Sequence, residues 1–193
     1  MNEAELAHKR DKHQLGFWAY IMTDCMLFAS MFATYMILKN ATADGPGAHE
    51  IFNLGYALIL TLLLLTSSYT AGLANLALHN NSRKEFIGYL AATIVLGLSF
   101  LVLELREFGL LIAEGHGPDA SAFLSAFFTL VGLHGVHIAI GLLGAIVLAW
   151  AIYRQGDRHE DIKRKFGLFS IYWHFLDVVW IFIFTIVYAL GVA

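Results

Sequence analysis

An apolar run from Gly167 to Ala193 contains the stretch IYWHFLDVVW, Ile171 to Trp180, which carries an imidazole and a carboxylate where a bilayer-crossing segment would ordinarily have neither. On a helix, His174 and Asp177 are three residues apart and share a face, while Trp173, Asp177 and Trp180 fall along an overlapping stripe. His134 and His137 have the same spacing in the run Ala120 to Tyr153, and Asp24 lies in the run Leu15 to Leu38. An ionisable group in hydrocarbon costs ~2.5 to 3.5 kcal/mol on insertion scales, so it faces the bundle interior or a wet cavity. Such groups act in one of two ways. They are interhelical glue, hydrogen-bonded to one another with nothing transferred, or they form a proton relay, an ion site or a lipid-headgroup pocket.

His134, His137 and His174 with Asp177 could in principle supply three nitrogens and a carboxylate to a metal, although imidazoles three apart on a helix also simply pack or bond neighbouring carbonyls. A haem-bearing core is excluded: only three of the nine histidines lie in the apolar helices, too few for haems plus a copper. Ser67 and Ser68 have no base that sequence identifies, and a serine in a membrane helix usually bonds its own backbone. The chain itself is therefore expected to hold no catalytic residue, metal or cofactor.

The elements that must position these groups follow from composition. Hydrophobic residues make up 59% of the 193 residues and charged ones 14%, with a mean hydropathy of +0.67, which makes this an integral membrane protein. A net charge of -3 and the absence of a basic block interleaved with aromatics argue against a nucleic-acid partner. One cysteine, Cys25, excludes a disulfide framework, and both prolines, Pro46 and Pro118, lie in loops.

Five apolar runs are each longer than the roughly 20 residues that a helix needs to cross the hydrocarbon core. They cover residues 15–38, 51–78, 86–113, 120–153 and 167–192, preceded by a polar tail, 1–14, that lacks the apolar core of a secretory signal. Short loops predict an all-α, up-and-down bundle in one domain, 15–193, with consecutive helices adjacent. Lys9, Arg10 and Lys12, Arg83 and Lys84, and Arg154, Arg158, Lys163, Arg164 and Lys165 fall at one side, against Lys39 at the other. The positive-inside rule then makes the N-terminus cytoplasmic and the C-terminus periplasmic.

Orientation gives depth. His174, Asp177 and Asp24 enter from the cytoplasmic side and reach roughly 10 to 15 Å into the membrane, and His134 and His137 come down to the same layer. Asp24, His134, His137, His174 and Asp177 are therefore expected to form one buried polar cluster. Glu104 and Glu107, one turn apart in the third run, are expected as an acidic pair nearer the outer surface. Gly132, Gly135, Gly141 and Gly144 let backbones approach closely and place the fourth run centrally in the bundle or against a partner. Trp18 and Trp150 fall near helix ends; Trp173 and Trp180 flank the polar pair, where interface anchoring and lipid contact compete with a role beside the site.

Trp173, His174, Phe175, Asp177, Val178, Val179 and Trp180, with Gly132, His134, Gly135 and His137, resemble the paired signatures of subunit III of the haem-copper respiratory oxidases. TDCMLF, Thr23 to Phe28, resembles that family's first shared helix, with Asp24 in place of the glutamate of many members, and LELREF matches its acidic helix through Glu104 and Glu107. Longer members have seven helices. The five-helix count and GPDASAFLSAFF, Gly117 to Phe128, are most similar to the cytochrome bo-type ubiquinol oxidase branch, although five-helix versions also serve oxidases fed by cytochrome c or menaquinol. The resemblance implies a non-catalytic subunit of a bacterial inner-membrane complex that oxidises quinol, reduces oxygen to water and pumps protons. Its partners would be subunit I, which holds the haems and copper, and subunits II and IV, with phospholipid between its helices. A stand-alone proton or ion transporter and an assembly scaffold are the competing classes.

Overall fold

In a computed structural model the described residues are 3–43, 45–155 and 160–192. Met1, Asn2, Asp44, residues 156–159 and Ala193 lie outside them, and with them Arg158 of the basic last loop and the side chains of Lys9 and Arg10. The elements are α1 (Glu3–Leu38), α2 (Ala48–Ile51), α3 (Leu54–His79), α4 (Arg83–Ala113), α5 (Ala122–Gln155), α6 (Glu160–Ile183), a π-helical turn (Phe184–Ala189) and α7 (Leu190–Val192). Among the described residues, five helical stretches are long and apolar enough to cross a membrane: Gln14–Leu38, Leu54–His79, Arg83–Ala113, Ala122–Ile152 and Lys163–Val192. The chain is a multi-pass, all-α membrane protein.

The expected polar tail is not separate from the first helix. EAELAHKRDKHQ is built of strong helix formers, so α1 starts at Glu3 and carries the charged residues out as further helical turns. Turn chemistry fixes the other boundaries. Asn53 caps α3 by accepting the Tyr56 N–H at 3.2 Å. Asn81, at φ 56°, ends α3, with the Ser82 N–H returning to the Ala77 carbonyl. Gly115, at φ 84°, ends α4 in the same way, with the His116 N–H returning to Leu111.

α3, α4, α5 and α6 form a closed ring in which α3 packs on α4 and α6, and α5 packs on α4 and α6. α1 lies outside that ring, chiefly against α5. The expectation that consecutive helices are adjacent thus fails at the first pair. Its physical reason is the α1–α3 connection, which crosses the end of the bundle opposite the α3–α4 turn. Phe52 is buried there against Phe123, Phe127 and Tyr188, and Ala41 accepts the Phe123 N–H at 3.2 Å. Only 22% of the most apolar window of α1 is buried, against 44% for α3, so α1 turns most of its surface outward. Met22, Met26 and Ile37 are 68%, 75% and 80% exposed.

Candidate functional site

The buried polar side chains divide by seam. At the α1–α5 seam, Asp24 Oδ2 lies 3.6 Å from His137 Nε2, and both side chains are 8% exposed. His137 Nδ1 is 2.8 Å from the Leu133 carbonyl oxygen, a distance that makes Nδ1 the protonated nitrogen. In a neutral imidazole Nε2 then presents a lone pair to a carboxylate that is acceptor-only when ionised. The Tyr172 hydroxyl donates to the His137 carbonyl at 3.0 Å, and Tyr20 packs on Tyr172 with ring centroids 6.1 Å apart.

His134, one turn before His137 on α5, is completely buried, and neither of its nitrogens has a hydrogen-bond partner in the protein. Its ring sits in an aromatic box made by Phe28, Phe100 and Trp180, at 6.4, 5.9 and 5.3 Å between centroids. At the α3–α6 seam, Ser68 Oγ is 2.9 Å from His174 Nδ1, and Asp177 lies close to both. No hydrogen bond or ion pair among the described residues joins this set to Asp24 and His137. The expected single buried cluster thus divides into two polar sets, with His134 isolated among aromatic rings and His174 exposed instead of buried.

Trp173 and Trp180 are interior anchors and contact no lipid: they are 1% and 0% exposed. The Trp173 indole N–H donates to Ser67 Oγ at 3.1 Å, and Ser67 Oγ donates to the Thr93 carbonyl. The Trp180 N–H donates to Thr61 Oγ1 at 3.0 Å, whose hydroxyl in turn donates to the Ala57 carbonyl. The Trp173 ring is held between two backbones, since a Cβ at Gly97 or at Gly141 would come within 2.9 or 2.8 Å of it. Of the small residues in α5, Gly141 and Gly135 serve close approach inside the bundle. Trp18 and Trp150 are 47% and 59% exposed.

Glu104 and Glu107 lie close enough to interact electrostatically, but their surroundings differ. Glu104 is 1% exposed, its carboxylate pressed against Gly135, where a Cβ would sit 2.9 Å from Oε2, and neither oxygen has a protein partner. Glu107 instead accepts the Tyr188 hydroxyl at 3.0 Å. Tyr188 sits in the π-helical turn, whose extra residue per turn re-aims the side chains that follow. Ser67 and Ser68, expected to bond their own backbone, instead bond across to neighbouring helices, and Thr61 and Tyr188 were not singled out by sequence. The adjacent Ser67–Ser68 pair, which serves Trp173 and His174 in turn, was the one available signal. Among the described residues no group of three or more His, Cys, Asp or Glu is placed to hold a metal ion.

Comparison with known proteins adds a separate finding. The family described as cytochrome c oxidase subunit III matches residues 6–192. A cytochrome bo(3) ubiquinol oxidase subunit 3 from Pseudomonas aeruginosa is 51% identical over 91% of this chain and 84% of its own length. A protein of the same description from Buchnera aphidicola subsp. Schizaphis graminum is 40% identical over 95% of this chain and 96% of its own. A cytochrome c oxidase subunit 3 from Bacillus sp. is 45% identical over 92% of this chain and 85% of its own.

Proposed function

Because this chain belongs to the cytochrome c oxidase subunit III family, we propose that it is the third subunit of a proton-pumping terminal quinol oxidase of the cytochrome bo type. The third subunit of this family is non-catalytic, and its oxidases carry their redox centres in subunit I. The observation that carries the quinol assignment is the 51% identity to the Pseudomonas aeruginosa relative, set against 45% to the Bacillus cytochrome c oxidase subunit.

In this reading the chain lies in a bacterial inner membrane with its N-terminus cytoplasmic and its C-terminus periplasmic, as its lysines and arginines favour. It packs beside subunit I, with subunits II and IV in the same complex, and holds phospholipid. The exposed apolar face of α1 is suited to such packing. Asp24 and His137, which meet at 3.6 Å between α1 and α5, would support proton uptake by the neighbouring subunit. A stand-alone transporter would need a continuous polar path, whereas these groups are divided between two seams.

Affinity purification of the tagged chain in mild detergent, followed by a visible spectrum, tests the assignment. Haem b and haem o are expected in the co-purified complex. Haem a in their place would move the chain to the cytochrome c oxidases, and a preparation without haem would overturn the oxidase reading.

A further inference from the structure

Alongside Trp173 and Trp180, the α3–α6 seam carries an imidazole, a hydroxyl and a carboxylate that lead from its outer surface to its interior. His174 is exposed, whereas Ser68 and Asp177 are 7% and 8% exposed. Ser68 Oγ stands 2.9 Å from His174 Nδ1, and Asp177 interacts with Ser68 through a side-chain hydrogen bond and with His174 through charge. Asp177 Oδ1 is buried with no hydrogen-bond partner among the described residues. The serine hydroxyl therefore links a buried carboxylate to an exposed ring.

A hydroxyl has one proton to give and lone pairs to receive, so between an imidazole and a carboxylate it supports two orders of the same chain. In the first, Nδ1–H donates to Ser68 Oγ, the Ser68 hydroxyl donates to ionised Asp177, and Nε2 presents a lone pair. In the second, protonated Asp177 donates to Ser68 Oγ, the hydroxyl donates to Nδ1, and Nε2 carries the hydrogen. The two orders differ by one proton. When it bonds to Nε2, the Nδ1–H bond breaks as a new Ser68 O–H bond forms, and the old Ser68 O–H bond breaks as its proton passes to Asp177. The ring ends neutral, in its other tautomer, and the carboxylate ends neutralised.

The entry point opens to a groove. Between the last turns of α3 and the first turns of α6 lies a space of about 800 Å³, with His174, Gly72, Asn75 and His79 along it. An added Cβ at Gly72 would stand 3.7 Å from Nε2, so glycine leaves this nitrogen uncovered on that side. Asn75 Oδ1 is buried without a partner among the described residues, and a groove of this size and polarity supplies it with water. Nearer the end of α3, His79 is exposed, with Nδ1 3.2 Å from the Asn75 carbonyl oxygen. Among the described residues, the titratable and charged groups that bear on His174 are thus Asp177, Lys163 and Arg164 of α6 and His79 of α3.

We propose that His174, Ser68 and Asp177 form a proton relay, through which water of the α3–α6 groove loads and unloads Asp177. It is a second proton-exchanging set, on the seam that Asp24 and His137 do not occupy. Its use in proton uptake rests on the oxidase reading; the exchange itself rests on these three side chains.

The test follows Asp177 by infrared spectroscopy of the purified, haem-containing complex, moved rapidly from light to heavy water at pH values between about 5 and 8. The carboxylic acid band that Asp177→Asn removes reports the proton on Asp177, and its isotope shift reports exchange. We expect this band to grow as pH falls and its exchange to slow about tenfold or more in Ser68→Ala. Gly72→Leu, which covers Nε2 and leaves all three relay groups in place, is also expected to slow exchange. Ser68→Thr keeps the hydroxyl and is expected to retain most of the native rate. Native-rate exchange in Ser68→Ala or in Gly72→Leu overturns the relay, as does the absence across this pH range of any band lost in Asp177→Asn. Equal slowing in Ser68→Thr and Ser68→Ala overturns it too, because packing and not the hydroxyl would then set the rate. The visible spectrum of the same preparation reports separately on the oxidase reading.

Discussion

The two seams that carry buried polar groups are built on opposite plans. Between α3 and α6, each tryptophan finds a donor–acceptor chain that ends on a backbone carbonyl, and Trp173 is wedged between two glycines. Between α1 and α5, Asp24 and His137 meet at 3.6 Å, and Asp24 Oδ2 has no hydrogen bond. A seam whose donors and acceptors are matched serves to lock helices together. The α1–α5 seam instead brings an imidazole and a carboxylate together without a hydrogen bond between them. The difference lies in side-chain chemistry.

The largest expected effect breaks the locked seam. Trp173→Ala removes a fully buried ring and one hydrogen bond to Ser67, and should cost about 3–5 kcal/mol, read as a lower midpoint of thermal unfolding of the detergent-solubilised complex. Gly141→Val approaches the same ring from the other side and should also destabilise, through overpacking, by about 1–3 kcal/mol. A tolerant response at both positions would mean that α6 is not anchored by Trp173.

Asp24 should respond differently from the tryptophans. Asp24→Ala leaves His137 buried without its partner and should cost about 1–3 kcal/mol, whereas Asp24→Asn, which keeps a neutral polar group beside Nε2, should cost less while slowing proton-coupled turnover of the complex. Equal stability losses for Ala and Asn would assign the pair an ordinary packing role. Ser68→Ala should have a smaller effect, about 0.5–1.5 kcal/mol, because His174 is open to the groove and can bond water in place of the hydroxyl.

The smallest effect is expected at Glu104, and its sign is the informative part. A buried carboxylate without a protein partner contributes no hydrogen bond to lose, so Glu104→Met should leave the midpoint of the isolated chain unchanged or raise it. A marked drop would show that Glu104 is satisfied by water or by a group that the isolated bundle does not display.

Much of this arrangement is legible in the sequence because hydrophobic length and buried charge are one-dimensional signals. The five spans follow from run length, and the exceptional residues, Asp24, His134, His137, His174 and Asp177, stand out against hydrocarbon. Direction around the helix axis is harder to read, because it depends on which neighbour each helix has. α1 lies outside the ring, which sends Asp24 to α5, while α3 occupies the side of α6 that His174 faces. Ser67 and Ser68 sit 106 residues from the indole and imidazole they bond, and no local pattern connects groups so far apart. The different surroundings of Glu104 and Glu107 were equally hidden, since they depend on Gly135 and on Tyr188 in the π-helical turn.

The division of polar groups between two seams is tested most directly by a pair of double-mutant cycles on the purified complex, read as unfolding free energy. Asp24→Asn combined with His137→Gln should show a coupling energy within the roughly 0.5–3 kcal/mol typical of contacting residues. Asp24→Asn combined with His174→Gln should be additive to within about 0.3–0.5 kcal/mol. Coupling of Asp24 to His174 as strong as its coupling to His137 would contradict the division and restore a single buried cluster.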